Sequence, residues 1–422
     1  MTPVLDVKGK RVVVVGLGAS GIAACKLLAS RGAKVVGNDK NEKIAPIDGV
    51  EMILGRHDLT GADLVVVSPG VPTFPELEAA ERAGVPIWGE IELATRALTH
   101  SAPIVAIGGT NGKSTVTTLV GLFLEANDMK VFTGGNLGEP LAAHADEEYD
   151  AIVLEVSSFQ MERVDAFHPR VSVLLNVTPD HLDRYPSMQA YADAKGNAFL
   201  RQTEDDVAVV PVGDETCILQ AKRGNGRVVT FGPGGDVAPP PGDAMRLKGA
   251  HNALNVAAAI AAVRPFGVAD EEIAHVLRTF AGLPHRMVLV RERAGVRYYD
   301  DSKGTNVGAS VTAIRGIEEK RVVLVAGGRD KGGSYGPLVD ALRDKGRACV
   351  VIGEAAGAIA DAIGDAVTVS RAQSMEDAVR AAADLAQPGD AVLLSPACSS
   401  FDMFRDYKHR GDVFVSAVKA LP

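Results

Sequence analysis

Residues 105–118 read V-A-I-G-G-T-N-G-K-S-T-V-T-T: a short apolar run, a glycine-rich turn, then Lys113 and Ser114 at the start of a helical pattern. That order admits few folds, because it needs a parallel sheet whose strand ends feed helix N-termini. With Gly108, Gly109 and Gly112 leaving the backbone bare, the N–H groups from there through Thr110, Asn111 and Thr115 can point at phosphate oxygens. The helix start adds its partial positive charge. Lys113 is expected to reach the outer phosphates and the Ser114 hydroxyl a Mg²⁺ ion. The general pattern G-x-x-x-x-G-K-[ST] fails by one position, since Ile107 stands where its first glycine belongs. The loop is therefore a shortened variant. Behind it Val116, Leu119, Val120, Phe123 and Leu124 recur at helical spacing and supply an anchoring face.

At 422 residues the chain exceeds what one core organises, and about three domains are expected. A formal charge of −9, with no basic run or aromatic stacking series, argues against nucleic acid. Cys25, Cys217, Cys349 and Cys398 lie far apart without a C-x-x-C, which suggests neither a disulfide framework nor zinc, and fits a reducing compartment. The N-terminal apolar run at Val12 to Val15 is too short for a bilayer span and has no cleavage signal, so the expected location is the cytoplasm.

Residues 11–39 form a βαβ pattern in which Gly16, Gly18 and Gly21 fill G-x-G-x-x-G and Asp39 follows at the separation of a ribose contact. On these residues alone NAD and another nucleotide are equally open, since the same turn holds any diphosphate at a helix N-terminus. The run 64–67 empties into Ser68, Pro69 and Gly70, a loop at a strand's carboxyl end where open α/β sheets bind ligands. In the next set, the run 151–156 contains Glu155. A carboxylate there is costly unless it meets a cation, and its place after a phosphate loop suggests a Mg²⁺ ligand. A strand over 171–177 leads to Thr178-Pro179-Asp180-His181, with a histidine on the same rim. Residues 189–200 look helical, and on composition Lys195 is a solvated lysine. The glycine–proline stretch 232–242 is expected to be a mobile, dispensable surface loop. A helix opens at 251–255 with Asn252 and Asn255 on one face, and residues 282–286 mark a boundary. Strands at 322–325, 348–352 and 391–394 follow, with a helix at 374–386 whose Ser374 and Asp377 resemble a capping box. Polar loops at 300–306, 327–333 and 395–402 each follow a strand. Lysines and hydroxyls on such loops suit a small dicarboxylate.

Together these stretches resemble the Mur ligases over nearly the whole chain. G-G-T-N-G-K-S-T is similar to that family's shortened phosphate loop, and the loops 301–306 and 395–402 resemble the branch that adds D-glutamate. The resemblance implies three α/β domains: residues 1–100, Rossmann-like and binding a UDP substrate rather than NAD; residues 101–284, a central ATP-binding P-loop domain; and residues 285–422, a Rossmann-like amino-acid-binding domain. It implies ATP-driven amide formation between UDP-N-acetylmuramoyl-L-alanine and D-glutamate through an acyl phosphate, for peptidoglycan precursors, by a cytoplasmic monomer that binds neither membrane nor nucleic acid. Lys113, Glu155, His181, Lys195 and Lys303 would be catalytic. Two Mg²⁺ ions would sit at Ser114, Glu155, His181 and a Lys195 carbamate formed with CO₂. ATP would also meet Asn252, Asn255, Arg286 and Asp301. The UDP-sugar would face Gly18, Ala19, Ser20, Asp39, Lys40, Ser68, Gly70 and Asn136, and D-glutamate would face Thr305, Lys331, Ser400, Phe401 and Tyr407. Tyr407 stands where phenylalanine is expected, and Gly196-Asn197 follow Lys195 in place of stronger helix formers. The third domain is expected to swing in on ATP, hinged near residues 283–285.

Three other readings fit less of the chain. A folylpolyglutamate synthetase lacks the domain containing Gly16 to Gly21, and an NAD oxidoreductase leaves the phosphate loop, Glu155 and Lys195 without a task. A nucleotide-gated binding protein would hydrolyse ATP without an amino acid.

Overall fold

The computed structural model describes residues 5–247 and 249–422. Its strands form three sheets. The first contains β1 (Arg11–Val15), β2 (Lys34–Asp39), β3 (Val50–Leu54), β4 (Leu64–Val67) and β5 (Ile87–Gly89), all parallel in the order β3-β2-β1-β4-β5. Val12 to Val15 are fully buried, as a strand covered on both faces requires, and this is why the run is apolar at every position rather than at alternate ones.

The second sheet contains β6 (Ile104–Gly108), β7 (Val131–Gly135), β8 (Ala151–Glu155), β9 (Val171–Leu174), β10 (Val207–Pro211) and β11 (Arg227–Phe231), parallel in the order β11-β10-β9-β6-β8-β7. The third contains β12 (Val288–Arg293), β13 (Val296–Asp300), β14 (Val322–Gly327), β15 (Gly346–Ile352), β16 (Thr368–Arg371) and β17 (Ala391–Leu394), in the order β12-β13-β17-β14-β15-β16. Only β12 runs antiparallel to its neighbour, and the other pairs are parallel.

The described chain divides into two compact units. One holds the residues up to Val177 with Gln189–Met245 and Ala253–Thr279; the other holds Thr178–Met188, Arg246–Asn252 and Phe280–Pro422. The first unit contains two sheets, and the helix Glu90–Ala97 ties them together. Glu92, with no exposed surface, accepts hydrogen bonds from the backbone N–H groups of Asp165, Ala166 and Phe167 at 2.9, 2.8 and 3.1 Å. It also pairs with Arg96 at 2.5 Å, whose guanidinium lies 4.3 Å from the Trp88 ring centroid. A buried carboxylate is tolerated here because four donors converge on it.

Two elements end sooner than their sequence patterns suggest. β9 stops at Leu174 rather than reaching 177: Leu175 N–H still donates to the carbonyl of Gly108, the last residue of β6, and the Asn176 carbonyl then accepts from Thr110 N–H in the loop beyond. The helix Met188–Gly196 passes into a 3₁₀ turn, Asn197–Phe199. At Gly196 a Cβ would come within 2.0 Å of Gln220 Oε1, so a larger residue there would displace the Gln220 side chain. The helix Met375–Leu385 starts where its cap predicts, with Ser374 Oγ accepting from Asp377 N–H at 3.1 Å. At the sheet edge, the stretch after β11 folds back on it. Asp236 accepts from Thr230 N–H at 2.8 Å and Val237 N–H donates to Thr230 O at 3.0 Å.

Candidate active site

The phosphate loop leaves β6 in the middle of the second sheet and enters the helix Lys113–Ala126. Its glycines answer specific demands. Gly112 has φ +88°, and a Cβ there would lie 2.4 Å from Asn255 Oδ1; Gly109 has φ +142° with Leu175 pressed against it. Gly112 is the helix N-cap and no side chain caps that end. The Lys113 ammonium folds back over the loop, donating to the carbonyls of Gly109 at 2.9 Å and Thr110 at 2.8 Å.

Lys195 is 5% exposed, which overturns the expectation of a solvated lysine. Its ammonium donates to the same Gly109 carbonyl at 2.8 Å and lies 4.4 Å from the Tyr191 ring centroid. Two lysine nitrogens thus converge on one loop oxygen. Ser114 and Glu155 are each 2% exposed, and Glu155 sits at the end of β8 in register with Ile107 of β6. Asn136 Nδ2 donates to Glu155 Oε1 at 2.6 Å, so this asparagine orients the carboxylate. Among the described residues no three His, Cys, Asp or Glu side chains gather into a metal cluster. The Glu155 carboxylate and the Ser114 hydroxyl are oxygen donors of the kind a hard cation takes.

In the first sheet Gly18 caps the helix Ala19–Ser30 with no side-chain cap bond, and Gly18 and Ala19 are exposed. Gly21 lets the helix press against the loop, where a Cβ would come within 1.9 Å of the Gly16 carbonyl. Asp39, at the end of β2, accepts from Leu17 N–H at 2.6 Å and Asn41 N–H at 2.8 Å. Ser68 Oγ donates to Gly16 O at 2.6 Å. Asp39 and Ser68 thus hold the glycine turn in shape, with Ser20 half-buried and Lys40 and Gly70 exposed on the same carboxyl edge.

The second unit carries its own cluster. Asp301 is buried and accepts from Ser395 Oγ at 2.7 Å; burial pushes its carboxyl up to about 7, against the pull of Ser395 and Arg286. The Lys303 ammonium stacks 4.0 Å from the Tyr407 ring centroid. Thr305 N–H donates to Lys303 O at 2.8 Å, Ser400 is buried, and Phe401 beside it is 68% exposed. His181 takes the left-handed region at φ +54°, its N–H donating to the carboxylate of Asp180 at 3.0 Å. Asp180 in turn receives Lys331 Nζ at 3.3 Å and Asn306 Nδ2 at 3.1 Å. Arg410, without exposed surface, donates to Ser302 O at 2.8 Å and Cys398 O at 3.1 Å, bracing two of the expected glutamate loops. The sequence did not single out Asp180, Arg410 or Asn176 of the phosphate-loop clamp. Only the position of Asp180, one residue before His181, hinted at a role.

A shortened phosphate loop on a parallel sheet, in a chain that carries two further α/β sheets, defines an α/β enzyme that handles nucleotide phosphates. The profile for the MurD-like N-terminal domain of Mur ligases matches residues 10–89, that of the Mur ligase middle domain residues 107–239, and that of the Mur ligase glutamate ligase domain residues 285–398. Proteins named UDP-N-acetylmuramoylalanine–D-glutamate ligase from Trichlorobacter lovleyi and Geobacter metallireducens are 42% and 43% identical to this chain. The alignments cover 99% of this chain in both cases, and 100% and 99% of those proteins. The chain belongs to the Mur ligase family. Its fold is that of UDP-N-acetylmuramate-alanine ligase from Thermotoga maritima, with a TM-score of 0.62, 20% identity, and coverage of 97% of this chain and 99% of that one. A folylpolyglutamate synthase from Mycobacterium tuberculosis complexed with ADP shares less, with a TM-score of 0.59 over 70% of this chain and 88% of that one, at 18% identity.

Proposed function

We infer that this chain joins D-glutamate to UDP-N-acetylmuramoyl-L-alanine with cleavage of ATP, as a cytoplasmic monomer in peptidoglycan precursor synthesis. The likeness over nearly the full length of both chains to proteins of that name carries the reading. In this reading residues 1–100 hold the UDP-sugar, 101–284 ATP and 285–422 the amino acid.

The alanyl carboxylate oxygen attacks the γ-phosphorus and the bond to the ADP oxygen breaks, giving an acyl phosphate. The glutamate amine then adds to the carbonyl, a proton leaves the nitrogen, and phosphate departs as the amide forms. Such phosphoryl transfer depends on positioning and charge balance. Lys113 would swing from the Gly109 and Thr110 carbonyls onto the transferring group, its present bonds marking the reach of its ammonium. Lys303 would meet the same phosphate, with Arg286, Asp301, Asn252 and Asn255 holding the nucleotide. Thr305, Lys331, Ser400, Phe401 and Tyr407 would hold the amino acid. Ser114, Glu155 and His181 would hold Mg²⁺, which when bound neutralises phosphate charge.

Lys195 is read as a carbamate. Its burial and the neighbouring Lys113 ammonium support this, because a second buried cation beside the first costs Coulomb energy that an anionic carbamate recovers. The carbamate also presents the oxygen donors a hard cation prefers.

The test is phosphate release by purified protein with ATP, Mg²⁺ and UDP-N-acetylmuramoyl-L-alanine, comparing D-glutamate, L-glutamate and no amino acid, with the product weighed by mass spectrometry. Release that needs D-glutamate and a gain of one glutamyl mass is expected. Release with no amino acid, or with another one, overturns the acceptor assignment.

A further inference from the structure

We propose that Asn176 is a positioning residue that clamps the shortened phosphate loop and turns two of its amides away from the nucleotide, so that the anion cradle begins at Gly112. Bare loop glycines suggest that every N–H from 108 onward faces phosphate; the geometry divides them. Thr110 N–H donates to the Asn176 carbonyl at 3.0 Å and to its side-chain Oδ1 at 3.2 Å. Asn111 N–H donates to the same Oδ1 at 2.9 Å, and Asn176 Nδ2 returns a bond to the Asn111 carbonyl at 3.1 Å. One side-chain amide thus satisfies a donor on two successive loop residues and an acceptor on the second. Only a group with both a carbonyl and an N–H at this reach can do so.

The shortened pattern explains the need. With Ile107 buried in β6, the strand runs on through Gly108, and the turn must be made within 109–112. Gly109 is packed against Leu175 and Gly112 against Asn255, so the turn is squeezed between the end of β9 and the helix Ala250–Val263. Asn176 holds the intervening Thr110 and Asn111 against the chain just past β9. That fixes the direction of the helix start at Gly112, which no side chain caps, and the path of the Lys113 stem. A loop held in this way keeps donors in place for charge that develops only during transfer.

The inference rests on reading this loop as the ATP site, and the experiment separates the two. In the unliganded full chain, the Asn111 amide is expected to exchange at least tenfold faster in Asn176→Ala than in the wild type. In the complete ligase assay Asn176→Ala should lose at least tenfold in kcat and raise KM for ATP, with KM for D-glutamate within twofold. Asn176→Asp should fall between them, since one oxygen still accepts both N–H groups while the other faces the Asn111 carbonyl. If Asn176→Ala does not fold, the Asn176→Asp variant carries the kinetic test and the wild-type exchange rate the geometric one. Variants with unchanged kcat and KM for ATP, or an Asn111 amide in the wild type that exchanges as freely as an open loop, overturn the proposal. A wild-type protein that binds no ATP instead overturns the reading beneath it.

Discussion

Glu90 begins the helix Glu90–Ala97 and is 1% exposed. One carboxyl oxygen accepts from Ala142 N–H at 2.8 Å, and among the described residues the other has no hydrogen-bond partner. Burial pushes this group up to about 7 from an ordinary 4.5, with the Ala142 bond pulling the other way. A raised carboxyl favours the folded state while protonated. Its contribution is whole below about pH 4.5 and is lost as pH climbs through about 7. Glu90→Gln should therefore stabilise the fold by about 3 kcal/mol near pH 8.5 and by almost nothing near pH 4, measured by urea unfolding. An equal effect at both ends contradicts the buried-acid account. Lys195 poses a different question at the same scale. Lys195→Ala is expected to lose about 100-fold in kcat and to recover part of it with added formate or acetate, whose oxygens replace those of the carbamate. An undiminished variant removes Lys195 from the chemistry.

Among the elements, the loop between β6 and the helix Lys113–Ala126 has little room for change. Gly112→Ala forces a left-handed residue with a side chain into the space of Asn255 Oδ1, and strain of about 1–2 kcal/mol is the smaller part of the cost. The larger part is the displaced Asn255, and ATP affinity by calorimetry should fall about tenfold or more. Unchanged affinity would show that the loop gives way. The parallel strands were legible in the sequence because covering both faces leaves no polar register; β1 and β17 are apolar at nearly every position. Glu155 was legible for the same reason, as the one charge in such a run. The burial of Lys195 was not, because a helix of alanines and polar residues reads as a solvated face until its partner is known. Asn176 was hidden as well. Its contacts lie 65 positions away along the chain, and nothing local distinguishes an asparagine at a strand end from a turn residue.

On the scale of the molecule, the described chain forms two compact units rather than one for each sheet, with the first two sheets sharing a unit through Glu90 and Glu92. Thermal unfolding should accordingly show two transitions by calorimetry, and ADP with Mg²⁺ should raise the one belonging to the unit with the phosphate loop. A single transition that shifts as a whole with nucleotide speaks against independent units. The stretch after β11 has a further consequence, at the level of many molecules in one solution. β11 is the last strand of its sheet, and such an edge is a template on which a second chain can add a strand. Asp236 and Val237 already occupy the outward N–H and carbonyl of Thr230, so the glycine–proline loop expected to be dispensable covers that part of the edge. Trimming residues 232–237 should leave a protein that still folds but forms aggregates at concentrations where the intact chain stays dispersed, a difference light scattering would register.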